Sequence, residues 1–220
     1  MRVVSAFSNQ LLQENNFFFY MLILFSSVIS HYLIQSAFFT EELYYNTFGE
    51  QITLERVHKL FEMGSRYKIL NYLIIPFTLG FKILYNSLWV SVACFFKTGK
   101  DNFESNFSIC LKSEVVFLIM ILVNLINVFF FKEISTLDDL NPVPFSLLSF
   151  FNPNDIPVWL KYPLQTSNIW EVGFCIVGSS LYSIKYSISF GSSLVMFAIP
   201  YLVGLFVFIV FVMFIVLQFS

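Results

Sequence analysis

Lys82 is the residue best placed to do chemistry in this chain, because it stands almost midway along a run, about 69–96, that is otherwise free of charge. An ammonium inside an apolar segment calls for compensation. Glu171, Glu114 and the polar stripe of the first apolar run are the available partners. Two other resolutions stay open. The segment could break near Gly80, helped by Pro76, and bring Lys82 to an interface, or Lys82 could serve a substrate or proton site.

Further polar residues recur at helical spacing inside apolar runs. Ser27, His31 and Gln35 fall every four residues and share one helix face, and Asn124 and Asn127 do the same at i, i+3. Interhelical hydrogen bonding accounts for both, and a polar route is the alternative. Cys175, Ser179 and Ser183, joined by Gly173 and Gly178, put small residues at every fourth position of a third face, which lets another backbone come close.

Enzyme signatures are missing from this inventory. The two histidines, His31 and His58, sit on different segments, so no histidine pair of the H-E-x-x-H kind exists. Phosphate-binding, dinucleotide and nucleophile-elbow motifs are lacking, and Asp138 and Asp139 beside Glu133 read as a solvated turn. Cys94, Cys110 and Cys175 are odd in number and lie in or beside apolar segments, which fits reduced thiols. The reading is a non-enzyme that needs no cofactor and no metal.

The elements that must position these residues follow from composition. The chain has 220 residues, of which 57% are hydrophobic and 12% charged, with 30 Phe. Soluble domains carry about 25% charged residues, so water cannot solvate this surface and a bilayer can. A net charge of −2 without a long basic stretch excludes a nucleic-acid partner. Membrane lipids, other membrane proteins or further copies of the chain are the expected partners.

A hydrocarbon core of about 30 Å needs roughly 20 helical residues. Five segments answer, at about 17–39, 69–96, 114–131, 169–184 and 194–217, and they are apolar on every face, as helices rather than barrel strands are. The fold class is therefore an all-α membrane protein, a single polytopic domain over 1–220, with its ends on opposite sides. Arg2, Lys97, Lys100, Lys112 and Lys185 would lie on one side and Arg56, Lys59, Arg66, Lys68, Lys132 and Lys161 on longer loops of the other. Density favours the first side as cytoplasmic, N-terminus included. The N-terminus reads as a retained helix rather than a cleaved signal, and the Phe, Ile and Asn usage points to a bacterial inner membrane.

Two stretches outside the spans have their own character. Leu54, Val57, Leu60 and Phe61 recur at helical spacing opposite Glu55, Arg56, Lys59, Glu62 and Arg66, the pattern of an amphipathic interfacial helix. From 141 to 163 the chain holds five of its seven prolines among aromatic and aliphatic residues. That forbids a continuous helix and suggests short pieces lying on or dipping into the bilayer, with a turn at Asn152, Pro153, Asn154 and Asp155.

Trp170, then Ser189, then Leu194 and Pro200, with Gly99 and Phe103 after the second span, form a pattern that resembles the Yip family of Rab-interacting-protein-like five-span membrane proteins, in its bacterial-type form. Lys100, Ser192 and Ser193 depart from that pattern, as does the proline-rich stretch. The resemblance implies a non-enzymatic membrane scaffold, adaptor or assembly subunit, concerned with trafficking or bilayer organisation in eukaryotic members. A transporter or channel component using Lys82, His31, Gln35, Asn124, Asn127 and Glu171 is the competing expectation.

Overall fold

The computed structural model describes residues 12, 14–49, 52–99, 102–140, 143–151 and 155–219. Among them there are helices and no strand. Helix α1 spans Asn16–Phe38, where the Asn15 side chain caps it by accepting from the Phe17 amide at 2.8 Å. Thr40 caps the short α2, Glu41–Phe48, whose first turn holds Glu41 and Glu42 against the positive end of the helix. Helix α3, Leu54–Arg66, is the amphipathic segment, and Tyr67 joins it directly to α4, Lys68–Thr98.

Helix α4 is one element through Pro76 and Gly80. The break that would have carried Lys82 to an interface does not occur, and Lys82 lies in the middle of a 31-residue helix. Gly99, with φ +66°, ends it in the left-handed conformation that glycine takes without steric cost.

The third apolar segment begins earlier than its hydropathy suggests. Helices α5, Phe103–Ser113, and α6, Val115–Phe130, abut at Glu114 and together make one element long enough to cross a bilayer. The expected 97–113 loop is thus mostly helix. Its charges hid it: Lys112 is buried, with its ammonium donating to the Leu12 carbonyl at 2.9 Å, and cannot count among the loop charges that orient the chain.

Beyond α6, Asp139 organises a turn by accepting from the amides and hydroxyls of Ser135 and Thr136 at 2.8–3.2 Å. Its partial burial opposes ionisation, but those four donors hold its carboxyl below the usual range. The same turn is tied to α2 through the Leu137 amide and the Thr47 hydroxyl, 2.9 Å apart. The Asn152 to Asn154 part of the expected turn lies outside the described residues.

Short helix α7, Val158–Thr166, contains Pro163 and packs on the last long helix, where Tyr162 meets Phe208 with ring centres 6.3 Å apart. Helix α8, Ile169–Tyr186, is capped by Asn168. Helix α9, Phe190–Ser193, runs through a π turn at Leu194–Ala198 into α10, Ile199–Phe219.

Four of these elements are long and apolar enough to cross a membrane: Asn16–Phe38, Lys68–Lys97, Phe103–Phe130 and Phe190–Phe219. The expected 169–184 segment is the helix α8, shorter and more polar than those four. Burial runs inside out for a protein in water. Phe77, Phe96, Phe206 and Phe219 stand largely exposed, while Asn86, Ser87, Asn106, Lys112, Glu114 and Ser179 are buried. Such an apolar exterior around polar residues suits lipid as the surrounding medium.

Candidate functional site

The middle of the bundle holds a cavity of about 700 Å³ lined by α4, α6, α7, α8 and α10. Ligand pockets fall in the range of about 300–1,000 Å³. Its polar side on α4 is a single stripe, because Thr78, Lys82 and Asn86 follow one another at i+4. Helix α8 contributes Glu171 from its first turn, and α10 contributes Tyr201.

The geometry settles which carboxylate Lys82 meets. Its ammonium lies 2.9 Å from Glu114 Oε2 and 3.4 Å from the centre of the Phe117 ring, an ion pair and a cation–π contact together. Glu114 sits on that spot because it is the joint between α5 and α6, and its side chain is almost wholly buried. Its second oxygen, Oε1, is buried with no hydrogen-bond partner among the described residues. Glu171 instead accepts a short hydrogen bond from the Tyr201 hydroxyl and makes no ion pair among the described residues.

Helix α8 begins at this depth. Phe117 touches Lys82 and also packs on Phe174 with ring centres 5.7 Å apart, which sets the first turns of α8 level with the middle of α4. The far end of α8 lies beside the start of α5, where the Tyr186 hydroxyl donates to Asn106 Oδ1 at 3.1 Å. Chain leading into α8 is irregular, and several of its N–H groups find partners within it, while the buried Ser146 hydroxyl has none among the described residues. The Leu147 amide donates to the Ser167 carbonyl, the Ile169 amide to Phe145, and the Trp170 indole to Pro144 at 2.8 Å. Non-helical backbone at membrane depth is tolerated where protein or a cavity covers it.

A second cavity of about 460 Å³ adjoins the first. Thr166, Asn168, Glu171 and Leu205 line both, so Glu171 stands in the wall between them.

The other residues singled out in the sequence lie elsewhere. Gln35 accepts from the Tyr72 hydroxyl at 2.7 Å, and His31 packs edge-on against the same ring at 5.3 Å, in a cluster of their own between α1 and α4. Asn124 and Asn127 are half-buried on α6, beyond the residues that line the cavity. Cys175 and Ser179 are buried, and Ser183 donates to the Ile188 carbonyl at 2.6 Å. The small-residue face is occupied from within: a Cβ on Gly178 would fall 1.9 Å from Phe197 Cε1, because the π turn lays that ring across α8.

Sequence reasoning passed over Tyr201, Tyr85 and Asn86. Signals existed for each. A tyrosine in an aliphatic span needs a partner for its hydroxyl, and Asn86 is one turn from Lys82. Tyr85 finds the Gly204 carbonyl at 2.8 Å. No group of three His, Cys, Asp or Glu able to hold a metal is present among the described residues. Compared with protein-family models, curated proteins and solved structures, the chain matches none of them.

Proposed function

We propose that the chain is an integral membrane transporter or channel component whose ligand occupies the cavity at Glu171. One observation carries this reading: an ion pair, a second carboxylate and a buried tyrosine converge on one cavity in the middle of the bundle. Intramembrane ionisable residues are costly and mark pathways or sites. On this reading α7 and α8 together make a fifth crossing, with the irregular backbone dipping in from one face and α8 continuing to the other. Discontinuous helices that end at a central site are the recurring architecture of transporters. The N-terminus faces the cytoplasm of a bacterial inner membrane in this arrangement.

The test is aqueous access. In a background with the three buried cysteines replaced, Thr78→Cys and Asn86→Cys in proteoliposomes react with a small hydrophilic thiol reagent. Inertness at both positions, matching the native buried thiols, would remove the case for a ligand-accessible cavity.

The Yip-like scaffold reading keeps one observation of its own. Helices α2 and α3 pack chiefly on each other, touching the long helix α4 only slightly, and leave Tyr45, Leu54, Leu60 and Met63 exposed. A partner retained at fixed stoichiometry through purification in mild detergent, and lost on Leu54→Ser with Met63→Ser, would favour it.

A further inference from the structure

We infer that the cavity at Glu171 is built for an organic monocation with an apolar body, such as a lipophilic amine or quaternary onium; this rests on the reading of the cavity as a ligand site. Charge decides the sign of the ligand. Lys82 and Glu114 cancel at 2.9 Å, whereas Glu171 accepts from the Tyr201 hydroxyl, makes no ion pair among the described residues and meets the Lys82 charge only at longer range. Lys82 and Glu171 line the cavity and Glu114 lies buried behind Lys82, so one cation and two carboxylates leave this part of the bundle a positive charge short. Glu171 lies in the first turn of a capped 18-residue helix, at the positive end of its dipole.

The walls select the same chemistry. Phe77, Phe81, Tyr85, Phe117, Tyr201 and Phe208 present rings to the cavity, and aromatic faces attract cations. Phe117 already takes the Lys82 ammonium this way. An anion would find Lys82 committed and Glu171 repelling it. A bare divalent ion would find one carboxylate in the wall, Glu171, with Glu114 buried behind it and paired, where a hard cation needs about six oxygen ligands. The cavity, about 700 Å³, accommodates a body of several rings. Phe77 and Phe81 at its rim are largely exposed and extend the aromatic lining to the mouth of the cavity.

Tetraphenylphosphonium and tetraphenylborate share one shape and differ in charge, which separates the two claims. Binding of each to the full-length protein in a non-ionic detergent is measured by equilibrium dialysis. The phosphonium binds and the borate does not. Glu171→Gln weakens phosphonium binding by about tenfold or more, the loss expected when a charged partner becomes neutral. Its elution as a single species in size exclusion shows that it is folded. Equal or tighter binding of the borate would overturn the inference while leaving a ligand cavity standing. Absence of binding by both ions would overturn the ligand-site reading beneath it. Phosphonium binding unchanged by Glu171→Gln would contradict the role given to Glu171.

Discussion

At the residue scale the ion pair of Lys82 and Glu114 is asymmetric, and the asymmetry has a measurable consequence. Glu114 is almost wholly buried, while the Lys82 side chain is 38% exposed to the cavity. Lys82→Met therefore strands a buried carboxylate, which costs about 3–5 kcal/mol. Glu114→Gln leaves an ammonium that the cavity and the Phe117 ring still serve, and it costs less. Removing both charges together returns stability close to the starting value. Thermal unfolding of the three variants in detergent gives that order, and equal losses from the two single changes would contradict it. Lys82 stands out in the sequence because it alone interrupts its apolar run. Choosing Glu114 over Glu171 was out of reach there, because the choice depends on α5 and α6 abutting at Glu114, and Lys112 and Glu104 make α5 look like loop.

Two packing facts act at the scale of elements. Phe197 crosses α8 at Gly178, where an added methyl would meet ring carbon at 1.9 Å. Gly178→Ala lowers stability by about 1–3 kcal/mol through overpacking. Gly191, also helical, has nothing within 4 Å of an added Cβ, so Gly191→Ala is neutral or gains up to about 1 kcal/mol from helix propensity. No loss on Gly178→Ala would show that the π turn does not hold Phe197 where the structure has it. The small-residue stripe was legible as a close-packing face, but its occupant was not, because a π turn leaves no mark in a run of aliphatic residues.

Helices α2 and α3 are joined by a titratable clamp. His58 Nδ1 lies 2.7 Å from Glu41 Oε1 on α2, and Nε2 lies 3.4 Å from Glu62. The Glu41 hydrogen bond first, then the charges of Glu41 and Glu62, hold the imidazole above its ordinary value of 6.5. A raised folded-state value means that the clamp acts fully below about pH 6.5 and is lost as pH rises through the folded value. The melting temperature of the wild type exceeds that of His58→Gln at about pH 6, and the two converge by about pH 9. A difference that stays constant over that range would rule out the clamp. The amphipathic period of α3 was plain from sequence, whereas the pairing with Glu41 spans 17 positions and two elements and was not.

For the whole molecule, the distribution of greasy and polar surface is what composition made legible: the apolar runs at about 17–39, 69–96 and 194–217 coincide closely with α1, α4 and the α9–α10 unit. The segment near 169–184 was legible as a helix but not as one that starts at the depth of Lys82. Glu171 and Ser179 dilute the apolar signal because they face cavity and protein, and Lys185 stands exposed in the last turn. A central ligand cavity of this kind requires a particular path of the chain through the bilayer. Single cysteines at Asn15, Gly99, Ser187, Ser135 and Gln218, in a background without the native three, are labelled from either face of oriented vesicles. Labelling of Asn15, Gly99 and Ser187 from one face, with Ser135 and Gln218 from the other, is the pattern required by a chain that crosses five times with α7 and α8 as one passage. Labelling of Asn15 and Gln218 from the same face, or of every position from both faces, would contradict it.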